Sequence, residues 1–148
     1  MDNLNKWLTL LANIGVLAGI IFVALEIQQN TSAIQATAIQ ESTEVARANI
    51  MAMVNDPSLI ELRSKDIGEL TDLERQRASW LARSFWLSMQ GLYRQWSLGV
   101  LPEEEWGVWF DIICANAIRD NGISGREFWL RQKSQLIPSF ERYVDSSC

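Results

Sequence analysis

The sequence contains no histidine, only two cysteines (Cys114 and Cys148) and only three prolines, the first of them Pro57. Without histidine the chain lacks the commonest general base near neutral pH and the commonest metal ligand, including the Glu-x-x-His pattern on which di-iron bundles depend. Two cysteines leave no second pair for a structural zinc site. Gly-rich phosphate loops, a G-x-S-x-G elbow and an S-x-x-K constellation are also missing, and Ser64-Lys65 and Lys133-Ser134 are merely adjacent residues. We therefore expect a non-enzymatic protein with no catalytic residues, no metal and no cofactor.

Positive charge is scarce as well. The chain has 13 basic against 18 acidic residues, and beyond residue 27 only Lys6 is subtracted from the first number and Asp2 and Glu26 from the second. Nucleic-acid binding normally needs a concentrated basic patch, so no nucleic-acid partner is expected. No polybasic segment adjoins the apolar run described next, which removes the usual means of holding anionic headgroups.

What the chain does have is an apolar run from Trp7 to Ile27, interrupted only by Thr9, Asn13 and Glu26. A helix rises about 1.5 Å per residue and the hydrocarbon core of a bilayer is roughly 30 Å thick, so this run is long enough to cross it. A buried helix of a soluble protein usually keeps a polar face, which Thr9 and Asn13 alone do not supply. The exit of the run reads Phe22-Val23-Ala24-Leu25-Glu26, without the small-residue pattern of a signal-peptidase site, so the segment is expected to stay as an anchor. Lys6 precedes it and no basic residue follows until Arg47, which places the N-terminus in the cytoplasm. The expected localisation is the inner (plasma) membrane, single-pass, with the C-terminal domain periplasmic or extracellular.

Within the run, Gly15 and Gly19 form a G-x-x-x-G pair, and Leu8, Ala12, Gly15, Gly19, Val23 and Glu26 share one helical stripe. Small residues permit close backbone approach between membrane helices, and an amide in lipid needs a hydrogen-bonding partner. Ala12, Asn13, Gly15 and Gly19 are therefore the candidate helix-packing interface, although G-x-x-x-G also arises by chance in such helices.

The expected organisation is a short tail over 1–6, a transmembrane helix over 7–27 and one helical extramembrane domain over 28–148. Composition predicts a helix over 32–54, either continuing from the span through Gln28–Thr31 or capped anew at Asn30, Thr31 or Ser32. Asn55, Asp56 and Pro57 stop it, and a short helix follows from Ser58 to about Ile67, closed by Gly68. Thr71 with Glu74 is a capping box opening a central helix from Asp72 to about Leu98, ended by Gly99. Its expected buried stripe includes Leu73, Trp80, Leu81, Leu87, Leu92 and Trp96. Pro102 with Glu103, Glu104 and Glu105 reads as the first turn of a helix to Ile118, where the helix dipole favours carboxylates. An Asn121-Gly122 turn, a second capping box at Ser124 and Glu127, a helix to about Leu136 and a terminal helix from Pro138 through Tyr143 complete the reading. No alternating strand pattern stands out, so the fold class is all-α, an anchor followed by a Trp-rich bundle of about five to six helices.

At this level the chain resembles a group of small, uncharacterised bacterial single-pass membrane proteins. The resemblance rests on Leu25-Glu26-Ile27-Gln28-Gln29-Asn30-Thr31 after the span, Asp56-Pro57, Leu70-Thr71 with Glu74-Arg75, Gly99 with Leu101, Trp106, Phe140 and Tyr143-Val144. It implies an anchor and a helical domain, and no activity.

Cys114 and Cys148, in an oxidising compartment, would close a loop worth about 3 kcal/mol in the chain-entropy model. Against that stands a buried Cys114 beside Ile112 and Ile113 with Cys148 free at the terminus, which is the arrangement we expect. Six tryptophans follow the span, more than core filling normally demands. Trp80 and Trp96 are expected in the core, whereas Trp86, near Arg83 and Arg94, and Trp109 form the candidate partner surface.

Two functions are consistent with this. One is an accessory or interaction subunit that docks on another membrane protein or on a second copy of itself, for which only Met1–Lys6 lie on the far side of the bilayer. The other is a membrane-anchored helical module that holds a small apolar ligand or lipid, which predicts a cavity lined by several tryptophans with an arginine at its mouth.

Overall fold

The computed structural model describes residues 2–118 and 125–148. Among them the protein is all-α, with six α-helices and two single 3₁₀ turns. The chain divides into two compact units, Met1–Thr37 and Ala38–Cys148.

The first unit is the N-terminal part of α1 (Asp2–Asn55). With no proline before Pro57, nothing in the sequence removes a backbone donor from this helix. Gln28–Ser32 lie inside it, so the polar Asn30-Thr31-Ser32 stretch caps no new helix. Thr31 and Ser32 instead return their hydroxyls to the carbonyls of Ile27 and Gln28 at 2.9 and 3.0 Å. Every residue over 3–34 is exposed. By length and composition α1 is sufficient to cross a membrane.

The second unit begins at Ala38, where α1 gains its first buried residue. Ser42, one turn on, is also buried, and its hydroxyl donates to the carbonyl of Ile39 at 2.8 Å. Asn55 ends α1, and Asp56 starts α2 (Ser58–Ser64) by accepting the Ser58 N–H at 3.1 Å. The helix stops three residues short of the expected Ile67. Ile67–Glu69 instead forms a 3₁₀ turn, so Gly68 sits inside that turn and closes nothing.

The central helix, α3 (Asp72–Ser97), has the expected ends. Thr71 and Glu74 make both bonds of a capping box, and Gly99, at φ 72°, takes the left-handed conformation that ends a helix. Its buried face is another matter. Ala78, Ala82, Trp86, Met89 and Leu92 point inward, whereas Trp80 is 65 % exposed and Leu73 69 % exposed. At 100° per residue the two sets lie on nearly opposite sides of the helix. The expected stripe is thus corrected at Leu73, Trp80 and Leu87, which are exposed, while Leu92 is buried and Leu81 and Trp96 pack against the core as expected. Two alanines on the inward face let neighbouring helices approach closely, and Trp86 and Met89 fill the space beyond them.

Helix α4 (Glu103–Ile118) opens on its three glutamates as expected. Its buried residues Trp106, Trp109, Ile113 and Ala117 face the core. The Asn121-Gly122 turn and Ser124 lie outside the described residues; α5 (Arg126–Gln132) has Gly125 at its N-cap and no side-chain cap bond. It ends earlier than Leu136 because Lys133–Gln135 tightens into a 3₁₀ turn. Helix α6 (Pro138–Ser147) extends four residues beyond Tyr143 and buries Phe140 and Val144. Helix α3 packs on α2, α4 and α5, and α6 closes on α4.

Cys114 and Cys148 are joined, with Cα atoms 5.1 Å apart and 34 positions between them in sequence. This overturns the unpaired reading. Helix α4 carries Cys114 on the side that α6 packs against, and the C-terminal end of α6 delivers Cys148 to it.

Candidate functional site

Two surfaces carry the candidate chemistry, one in each unit. In the first, Ala12, Asn13, Gly15 and Gly19 are all exposed, and a Cβ built on Gly15 or Gly19 would meet no atom within 4 Å. Trp7, Leu8, Leu11, Ile14 and Leu17 add exposed apolar area around this stripe. Water offers no stabilisation to such a surface, which is largely apolar over its whole length.

In the second unit, the expected partner surface does not exist in the form the sequence suggested. Trp86 is fully buried and Trp109 is 8 % exposed, so neither indole offers a face to a partner. Trp86 sits against Trp129, with ring centroids 4.5 Å apart, and meets Phe85 edge-on at 5.0 Å. Arg83 is half-buried and donates to the Gln135 side chain, while Arg94 is exposed. Arg83 and Arg94 therefore flank no exposed indole at position 86. Trp80, expected inside, is the one with an open face.

The remaining tryptophans are accounted for by a single aromatic cluster. Trp96 and Trp106 stack at 5.0 Å and an interplanar angle of 15°, and Tyr93, Phe110, Phe140 and Tyr143 surround them. Their polar edges find partners: the Trp96 indole N–H donates to Glu103 at 2.6 Å, that of Trp106 to the Tyr143 hydroxyl at 3.1 Å, and that of Trp129 to Asp145 at 2.9 Å. Asp145 also accepts from Lys133, the main reason its carboxyl titrates below the usual range, with the Trp129 bond adding to the effect. The Trp86 N–H is the exception, buried with no acceptor.

A partly open groove of about 310 Å³ lies within this unit. One wall is the C-terminal part of α1, with Ala46, Ile50 and Met53; the others are Leu81 and Phe85 of α3 and Trp109 and Ile112 of α4. Arg63 of α2 is the charged residue among its lining, and its guanidinium donates to the Met53 sulfur at 3.5 Å. This groove holds an arginine, as a ligand site would, but one tryptophan where several were expected. Periodicity did not reveal it, because it forms only where four helices meet.

The ionisable groups elsewhere form structural pairs. Lys65 donates to Glu74 at 2.6 Å, which, with the two Thr71 bonds, lowers the Glu74 pKa to about 2. Arg77 meets Asp56 at 2.8 Å, and the Asp56 carboxyl is lowered chiefly by its bond from Ser58. Each of these pairs ties one helix end or loop to its neighbour. No cluster of three or more metal-ligating side chains occurs among the described residues. No protein-family model, curated protein or solved structure matches the chain.

Proposed function

We propose that the chain is a single-pass membrane protein that works as an interaction or accessory subunit. The N-terminal part of α1 would anchor it in the inner (plasma) membrane, and the disulfide-braced helical domain would sit on the opposite side from the cytoplasm. The observation that carries this reading is the unbroken exposure of residues 3–34, an apolar helical surface with no buried position among them. A bilayer covers most of such a surface without further partners. The stripe of Ala12, Gly15 and Gly19 invites a second helix, either from another membrane protein or from another copy, and Asn13 beside it offers an interhelical hydrogen bond.

Two further observations support the orientation. The Cys114–Cys148 pair suits an oxidising compartment, and Lys6 ahead of the apolar run suits a cytoplasmic N-terminus. Both point the same way, although they are physically unrelated.

The test is to solubilise the full-length protein from its native membrane in mild detergent and measure the mass at which it migrates on a native gel, with Gly15→Ile/Gly19→Ile alongside. Co-migration with a defined complex or with a second copy, lost in the double variant, is the expected result. Migration as a bare monomer in both forms would defeat the proposal.

A further inference from the structure

We propose that the groove between α1, α2, α3 and α4 is a binding site for a single long-chain fatty acid anion, its carboxylate held by Arg63 and its chain laid against Leu81, Phe85, Trp109 and Ile112. The groove volume, about 310 Å³, is around twice that of an engineered apolar cavity, of order 150 Å³, that takes up benzene. It falls at the small end of the range for natural ligand pockets. Small side chains help keep it open: Ala46 and Ala52 on α1 and Ala82 on α3 are among its lining, where larger residues would fill the space. The apolar walls select a hydrocarbon body.

Arg63 selects the head. Its side-chain partner among the described residues is the thioether of Met53, a weak acceptor that occupies one of the five guanidinium donors. Among the described residues no carboxylate lies within ion-pair distance of it, whereas Arg47, Arg77 and Arg131 are paired; of the arginines without an ion pair it is the one that lines the groove. Among the described residues no acidic side chain lines the groove. A guanidinium beside Met53, at an apolar groove and without an anion of its own, is complementary to a carboxylate, which it can meet with two parallel bonds. A single cation matches a single negative charge, which favours a carboxylate over a phosphate monoester carrying nearly two. This site is independent of the packing stripe at Gly15 and Gly19, so either can fail without the other.

The experiment is native mass spectrometry of the full-length protein released from a non-ionic detergent, with oleate, oleyl alcohol or oleoyl lysophosphatidate added in turn. One oleate per chain is expected, bound about tenfold or more weakly by Arg63→Gln, since a charge-assisted bond is lost. Ala52→Trp, at an exposed position on the groove wall, is expected to abolish binding by filling it. Oleyl alcohol should bind wild type about as weakly as oleate binds Arg63→Gln. Oleate occupancy unchanged by both substitutions would overturn the proposal by placing the lipid on the detergent-covered part of the chain. Tighter binding of lysophosphatidate than of oleate would overturn the assignment to a fatty acid.

Discussion

Tryptophan dominates the energetics at the scale of single residues, and its burial divides sharply. Trp86 and Trp106 lie fully inside, with 0 % and 2 % of their surface exposed, so truncation of either removes one of the largest side chains in the core. Trp106→Ala is expected to cost about 3–5 kcal/mol, read as a lower thermal midpoint in detergent. Trp80→Ser should move that midpoint little, within roughly 0.5 kcal/mol, because an exposed side chain away from caps and networks contributes little. Equal losses from the two would show that the inward face of α3 is the one carrying Trp80. The unpaired indole N–H of Trp86 leads to a further contrast. Trp86→Phe removes a buried donor that has no acceptor, whereas Trp129→Phe removes a bond to the Asp145 carboxylate. The second should be the more destabilising of the two.

Glu74 sets the pH response at this scale. Its carboxyl is lowered from 4.5 to about 2, first by Lys65 and then by Thr71, so the charged form is favoured in the folded state. Its contribution is present in full above the ordinary value of 4.5 and is lost as pH falls from there through about 2. The thermal midpoints of wild type and Glu74→Gln should therefore differ at neutral pH and converge in acid. A difference that stays constant down to pH 3 would contradict the assignment.

Among the elements, the helix ends marked by local caps are legible in the sequence, whereas the ends of α2 and α5 and the inward face of α3 are not. The Thr71–Glu74 box, the stop at Gly99 and the glutamates opening α4 are local signals, each satisfied within a few residues of chain, and each stands where it was read. The face of α3 is decided by its neighbours. Leu73, Trp80 and Leu87 recur at seven-residue spacing and look like a seam, but the helix turns its alanines inward and leaves these three exposed. Alanine gives little signal in a hydrophobic pattern while permitting the closest approach between helices. The same property hid the groove, whose Ala46, Ala52 and Ala82 come from two helices far apart in sequence.

The disulfide belongs to this scale too, since it ties α4 to the end of α6 across 34 positions. Chain-entropy arguments give about 3 to 4 kcal/mol for a loop of this length. Reduction, or Cys114→Ser with Cys148→Ser, is expected to lower the thermal midpoint by several degrees. An unchanged midpoint would mean that the bond restrains nothing the packing of α6 on α4 does not already hold.

Over the whole molecule, an exposed apolar helical stretch continues into a helical domain braced by ion pairs and a disulfide. We propose that residues 7–27 anchor the chain and that the domain occupies an oxidising compartment. The most direct measurement is thiol labelling of native membranes with a mass-adding maleimide after alkaline extraction, before and after reduction. The protein is expected to stay in the membrane pellet, to take no label before reduction and to take two labels after it. Release into the alkaline supernatant, or two labels without reduction, would contradict this proposal.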